Sequence, residues 1–188
     1  NEIIIPSSVS YIGDHIFLGC SQLNDINIVS GEIKRIEYFE DQFLVYKKNP
    51  KSDQFDTLLW VKPNIQTAKI PSFIKTIASC AFSECSSLKE ITLSNSITKI
   101  EDYAFSGCKS LNLITIFSSI SHIGKKIFKD CYQLNTINII PCEEENLEFF
   151  EEQFLVYKKN PKSDNFDTLL WAIPNIQTGT IPSFIKAI

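Results

Sequence analysis

Phenylalanine, cysteine and leucine return in lockstep along this chain. Phe82, Phe105 and Phe128 are 23 residues apart, as are Cys85, Cys108 and Cys131, and Leu88, Leu111 and Leu134. An earlier copy supplies Ile12, Phe17, Cys20 and Leu23. A fixed period of roughly 20–50 residues marks a solenoid, in which each unit buries its apolar face only against its neighbours. Such a chain has no single core to divide, so residues 1–188 read as one solenoid. Both ends fall in mid-repeat, which reads as a stretch cut from a longer array with open terminal coils.

Each part of a unit has a physical reading. In the first, Leu23, Ile26 and Ile28 are the inward residues of a short strand, and Asp25 and Asn27 alternate outward. Pro6 lacks a donor and ends a ladder. Ile12 lies on a second inward segment. Ile16, Phe17 and Cys20 have the spacing of one helical turn, too short to stand alone. Its Phe would plug the core between the two strands. Gly19 and Gly107 follow the Phe by two, and Glu84 and Asp130 replace them elsewhere. That position is therefore not expected to demand a positive φ in every coil. The expected fold is a repeat solenoid, mainly β with short helical turns, of 23-residue coils with parallel stacked strands.

The period breaks between residues 29 and 69, where 42 extra residues separate Ile12 from Ile77. Residues 43–48 and 57–61 read as strands around the turn-forming cluster at residues 49–53, a β-hairpin. An isolated hairpin is marginal in water. Phe43, Tyr46, Leu58 and Trp60 are therefore expected to bury one face against the solenoid. Residues 154–164 repeat residues 43–53 letter for letter, and Trp171 answers Trp60, all 111 residues on. The two insertions span about residues 31–66 and 142–177. Glu143, Glu144, Glu145, Glu148, Glu151 and Glu152 make the second entrance acidic. A solvated loop explains them, because they lack the alternating ligands and sharp Gly turn of a calcium loop.

The repeat stands as Ile70-Pro71, Ile74, Ile77, Ala81-Phe82, Cys85, Leu88, Ile91 and Leu93. With the exits Pro63, Thr67, Ile70-Pro71 and Pro174, Thr178, Ile181-Pro182, this pattern resembles the BspA-like leucine-rich repeats over nearly the whole chain. Two units depart from it: one lacks the Ile-Pro start (Leu93-Ser94) and the next begins Ile116-Phe117. The resemblance implies a leucine-rich-repeat solenoid. It also implies a cell-surface protein of bacteria or parasitic protists, a non-catalytic scaffold for adhesion that binds a host or matrix protein.

The residues themselves show no chemistry. His15 and His122 fall at different repeat positions and cannot easily share a site. No nucleophile elbow, phosphate loop or zinc-protease motif is present. No cofactor and no metal is expected. Cys20, Cys85, Cys108 and Cys131 form a column, whereas Cys80 and Cys142 lie off it. Stacked strands set such residues roughly 4.8 Å apart with side chains parallel, a poor fit to a disulfide or tetrahedral zinc. Buried, reduced thiols are the simpler reading. A formal net charge of -4 argues against nucleic acid. No apolar run approaches the ~18–20 residues of a membrane span, so no direct membrane contact is expected. The lysine-rich tips at Lys47, Lys48, Lys51 and Lys158, Lys159, Lys162 read as solvated turns, with a heparin or acidic-partner contact as the alternative.

A solenoid usually binds along its concave sheet. The outward positions there are Asp25, Asn27, Glu90, Thr92, Leu113, Thr115, Thr136 and Asn138. They are mostly polar and lack aromatic or arginine anchors. The expected partner is a protein. The alternative is a structural array that self-associates through open coil ends, or an intracellular protein-interaction module.

Overall fold

The computed structural model describes residues 2–6, 9, 11–13, 15–20, 22–29, 35–47, 51, 54–143, 146–150, 154–158, 166–172, 181–186 and 188. The first coil carries β1 (Glu2–Ile5) and β2 (Asp25–Ile28). An insertion follows with β3 (Ile36–Phe39), β4 (Phe43–Tyr46) and β5 (Thr57–Val61). The regular coils hold β6 (Thr67–Lys69), β7 (Thr76–Ile77), β8 (Glu90–Thr92), β9 (Lys99–Ile100), β10 (Leu113–Phe117), β11 (His122–Ile123) and β12 (Thr136–Ile140). The second insertion holds β13 (Leu147–Phe150), β14 (Phe154–Tyr157) and β15 (Thr168–Ala172).

Two parallel ladders run along the solenoid. One is β6-β8-β10-β12, the other β7-β9-β11. Register follows the repeat, with Glu90 opposite Leu113 and Leu113 opposite Thr136. Ile91, Ile114 and Ile137 point inward and are buried. Proline accounts for strand length only in part, because β8 is as short as β6 although Ser94 stands where β6 is followed by Pro71. Pro71 stands just beyond β6 and cannot donate to the ladder. Where Ile-Pro becomes Ile116-Phe117 and Ile139-Ile140, β10 and β12 run on to pair Phe117 with Ile140.

The segment around each phenylalanine is not a helical turn, and among the described residues there is no helix. The residues two before and two after the Phe are left-handed in every coil: His15 and Gly19, Cys80 and Glu84, Tyr103 and Gly107, Lys126 and Asp130. Glu84 (φ 61°) and Asp130 (φ 60°) thus keep the conformation of Gly107 (φ 75°), against the expectation from sequence. In the regular coils this conformation serves bonding between coils. Alternate amides of this segment donate to the next coil rather than back along the chain. Cys80, Phe82 and Glu84 donate to the carbonyls of Asp102, Ala104 and Ser106 at 3.1, 2.8 and 2.8 Å. Tyr103, Phe105 and Gly107 donate to Lys125, Ile127 and Lys129 at 3.0, 3.0 and 2.8 Å. A left-handed L-residue costs roughly 1–2 kcal/mol, part of which glycine returns as unfolded-state entropy. Glu84→Gly is expected to stabilise the protein by about 0.5–1 kcal/mol, read as a higher urea midpoint. The exposed Lys109–Glu84 contact at 3.9 Å that it removes contributes little.

The phenylalanines stack, Phe82 on Phe105 at 4.9 Å and Phe105 on Phe128 at 5.9 Å between centroids. The cysteine column sits beside them as free thiols. Cys108 Sγ donates to Phe82 O and Cys131 Sγ to Phe105 O, each at 3.1 Å, tying each coil to the one before. Cys85 Sγ lies 3.9 Å from Val61 O, so β5 ends where a preceding phenylalanine would stand. Burial pushes the Cys85 thiol up to about 12. Hydrogen bonding to Cys131, followed by burial, pushes Cys108 up as well. These raised values favour the folded state below the ordinary thiol pKa of 9.0, and the contribution of Cys85 is lost as pH climbs from there to about 12. In the folded protein at pH 8, iodoacetamide is expected to leave Cys85 and Cys108 unmodified and to label the half-buried Cys142, as peptide mass spectrometry would show.

The insertion is a three-stranded antiparallel meander, β3-β4-β5, that continues the sheet of β7, β9 and β11 through a parallel β5–β7 pair. It buries both faces, not one. Phe43, Val45, Leu58 and Val61 join the main core with Phe82 and Ile77. Ile36, Leu44, Tyr46, Leu59 and Trp60 form a second core with Ile5, Phe17, Leu23 and Ile26 of the first coil. A bulge explains the split. Leu44 faces Trp60 and Val45 faces Leu58, which leaves Leu59 unpaired and flips the alternation. Leu58 and Trp60, two residues apart, therefore lie on opposite faces. The second insertion repeats this design, with a register shift between Leu155 and Val156. Leu147, Leu155 and Tyr157 pack on the preceding coils, and Val156 and Leu169 pack with Ile185.

Candidate binding face

The sheet β6-β8-β10-β12 presents one outward row of side chains per strand. Each short strand has its central residue locked in the core, so its flanking residues must face out. Six of the eight residues expected from sequence lie together here: Glu90 and Thr92, Leu113 and Thr115, Thr136 and Asn138. Asp25 and Asn27 do not join them. They sit on the separate β1–β2 sheet, which the insertion parts from β6. Asp25 closes that break. Its carboxylate is 3.4 Å from Lys62 Nζ, and Lys62 lies over the Tyr38 ring. Ile26 N donates to Tyr38 OH at 3.2 Å. Burial, and then the Asp25 charge, push the Tyr38 hydroxyl up to about 12.

Four residues of the face were not anticipated. Thr67 and Lys69 pair with Glu90 and Thr92 on β6. Their offset of 23 residues was readable, but the insertion obscured it. Phe117 and Ile140 extend β10 and β12, and the missing proline was their signal. The face therefore has two ends. Lys69 and Glu90 make one end charged. Phe117 and Ile140, paired across β10 and β12 and the latter 38% exposed, make the other apolar, while Leu113 lies at the far end of β10 between Glu90 and Thr136.

A cleft of about 410 Å³ separates the first coil from the outer face of β5, β7 and β9. Several of its polar groups are hydrogen-bonded. Glu101 accepts from Ser79 N at 3.2 Å, from Ser79 Oγ at 3.3 Å and from Lys99 Nζ at 2.7 Å. Arg35 donates to Tyr46 OH at 3.1 Å and Lys47 O at 3.3 Å. His15 packs edge-on to Tyr103, with ring centroids 6.1 Å apart. Ser79 and Glu101 bring a hydroxyl and a carboxylate together in it among the described residues. Among those residues no group of His, Cys, Asp and Glu could hold a metal ion.

A family model for the BspA type leucine rich repeat region matches residues 1–42 and 58–166, in six copies. The chain belongs to the BspA-type leucine-rich repeat family. Solved structures resemble this chain. A leucine-rich repeat protein from Eubacterium ventriosum is 28% identical with a TM-score of 0.64, over 74% of this chain and 36% of that one. The pneumococcal vaccine antigen PcpA is 20% identical with a TM-score of 0.57, over 73% of this chain and 38% of that one. A leucine rich cell surface protein from Faecalibacterium prausnitzii is 21% identical with a TM-score of 0.49, over 76% and 48%. The BspA-type chain thus spans between 36% and 48% of these proteins. No curated protein matches it. Among the described residues no helix is long and apolar enough to cross a membrane.

Proposed function

We propose that this BspA-type chain is a non-catalytic protein-binding scaffold of a surface protein, and that it docks a host or matrix protein on the β6-β8-β10-β12 face. The observation that carries the reading is the apolar pair Phe117 and Ile140, opposite each other where β10 and β12 run beyond the polar rows of the sheet. Its aromatic residue is the anchor type that dominates protein interfaces, and polar neighbours supply the rim. The test is retention of a solubilised basement-membrane extract on immobilised protein. Phe117→Lys with Ile140→Lys is expected to weaken capture by tenfold or more, about 1.4 kcal/mol. Glu90→Lys with Thr92→Lys, at the charged end, is expected to weaken it less. Equal capture by all variants removes this face from consideration.

A second reading, stacking of one solenoid on another, is favoured by the exposed apolar side chains of Ile4, Ile16 and Leu18 on the first coil. Light scattering at rising concentration decides it, since a strict monomer excludes stacking.

A further inference from the structure

The amide ladder around the phenylalanine column ends abruptly. Cys80, Phe82 and Glu84 donate forward, and so do Tyr103, Phe105 and Gly107. The equivalent amides of the next coil belong to Lys126, Phe128 and Asp130, and no acceptor meets them among the described residues. The second insertion follows instead of another phenylalanine segment. The first block shows the outcome of that substitution. Its connection from Leu58 to Ile65 is four residues shorter than that from Ile77 to Leu88, and it has no such segment. There the amides of His15, Phe17 and Gly19 are likewise without acceptors among the described residues.

The open row is an edge of donors. Alternate N–H groups that meet no carbonyl leave partial positive charge exposed along it. Lys126 and Asp130 are left-handed here, at φ 53° and 60°. A second, independent feature falls on the same coil. Lys125, Lys126 and Lys129 flank the row, all exposed. The repeat positions they occupy hold Asp102, Tyr103 and Ser106 one coil earlier, and Ser79, Cys80 and Ser83 before that. Lysine thus fills these sites in this coil alone; the first coil, whose row is also open, carries Asp14, His15 and Leu18 there. Two carboxylates face it. Asp130 lies 3.8 Å from Lys129 Nζ, and Asp102 accepts from Lys125 N at 2.7 Å. They reduce the positive field without cancelling it.

We propose that Lys125, Lys126 and Lys129, with the amides of Lys126, Phe128 and Asp130, bind the sulfate groups of an acidic polysaccharide. Sulfate oxygens accept from several donors at once, and lysine supplies the point charge. Donors spread along an exposed row favour a polymer that brings several anions together over a free ion. The net charge of -4 disfavours a nucleic acid, whose binding rests on phosphate neutralisation.

The experiment titrates ¹⁵N-labelled protein with a heparin-derived octasaccharide, the same oligosaccharide chemically desulfated, and inorganic sulfate. The expected result is salt-sensitive movement of the Lys126, Phe128 and Asp130 amides with the octasaccharide and none with its desulfated form. Replacing the three lysines by alanine is expected to weaken the octasaccharide tenfold or more, whereas Lys47→Ala with Lys158→Ala leaves it unchanged. Amide exchange checks the geometry separately: Lys126, Phe128 and Asp130 should exchange far faster than Tyr103, Phe105 and Gly107. Equal binding of the desulfated sugar, unchanged affinity in the triple variant, or slow exchange at the three amides overturns the proposal. A response to inorganic sulfate without one to the octasaccharide overturns the polysaccharide assignment.

Discussion

Phe105→Ala is expected to lower the free energy of unfolding by about 3–5 kcal/mol. Phe105 is 0% exposed and is the middle ring of three, stacked on Phe82 at 4.9 Å and Phe128 at 5.9 Å. Nothing can collapse into its place, because the ladders on either side hold neighbouring coils at fixed spacing. The change also separates the coil interfaces on both sides. In a repeat protein those interfaces carry cooperativity from coil to coil. Urea unfolding should therefore show a lower midpoint and a broader transition. A variant with the parental midpoint would mean that the stacked rings contribute no net stability.

Trp60→Ala is expected to be as costly, about 3–5 kcal/mol, but in a different place. Trp60 is buried in the second core, where its ring meets Phe17 with centroids 6.2 Å apart. Leu58, two residues away, belongs to the main core. Loss of the indole should detach the first coil while the coils from Ile70 to Leu134 stay folded. Hydrogen exchange tells the two apart. Amides of Ile26 and Ile28 should lose protection, and those of Ile91 and Ile114 should keep it. Uniform loss along the chain would show that the meander couples the cores rather than dividing them.

The solenoid was legible because its spacing rule is written in side chains that must be buried. Phe82, Phe105 and Phe128 announce a column, and Ile91, Ile114 and Ile137 announce a ladder. What escaped reading is carried by the backbone. The unpaired Leu59 reverses the alternation of β5, and hydrophobic pattern alone cannot reveal a bulge. β3 was missed for the same reason: IEYF is too short to show a period of its own. The left-handed residues at Cys80 and Tyr103 leave no glycine signature, and they serve bonding between coils. At the candidate face, side-chain alternation put Glu90 through Asn138 on one sheet, where the structure has them. It could not show that Asp25 and Asn27 lie beyond a break, because the break comes from how the meander packs. Phe117 and Ile140 were visible as departures from the repeat, yet their meaning depends on strand length.

The break before β6 has a consequence for how long a partner can be. Four neighbouring strands at about 4.8 Å spacing make a tile only ~14 Å across from first to last. Any ligand that needs a longer unbroken footing must step over the meander, so affinity can grow along the array only in increments, one tile at a time.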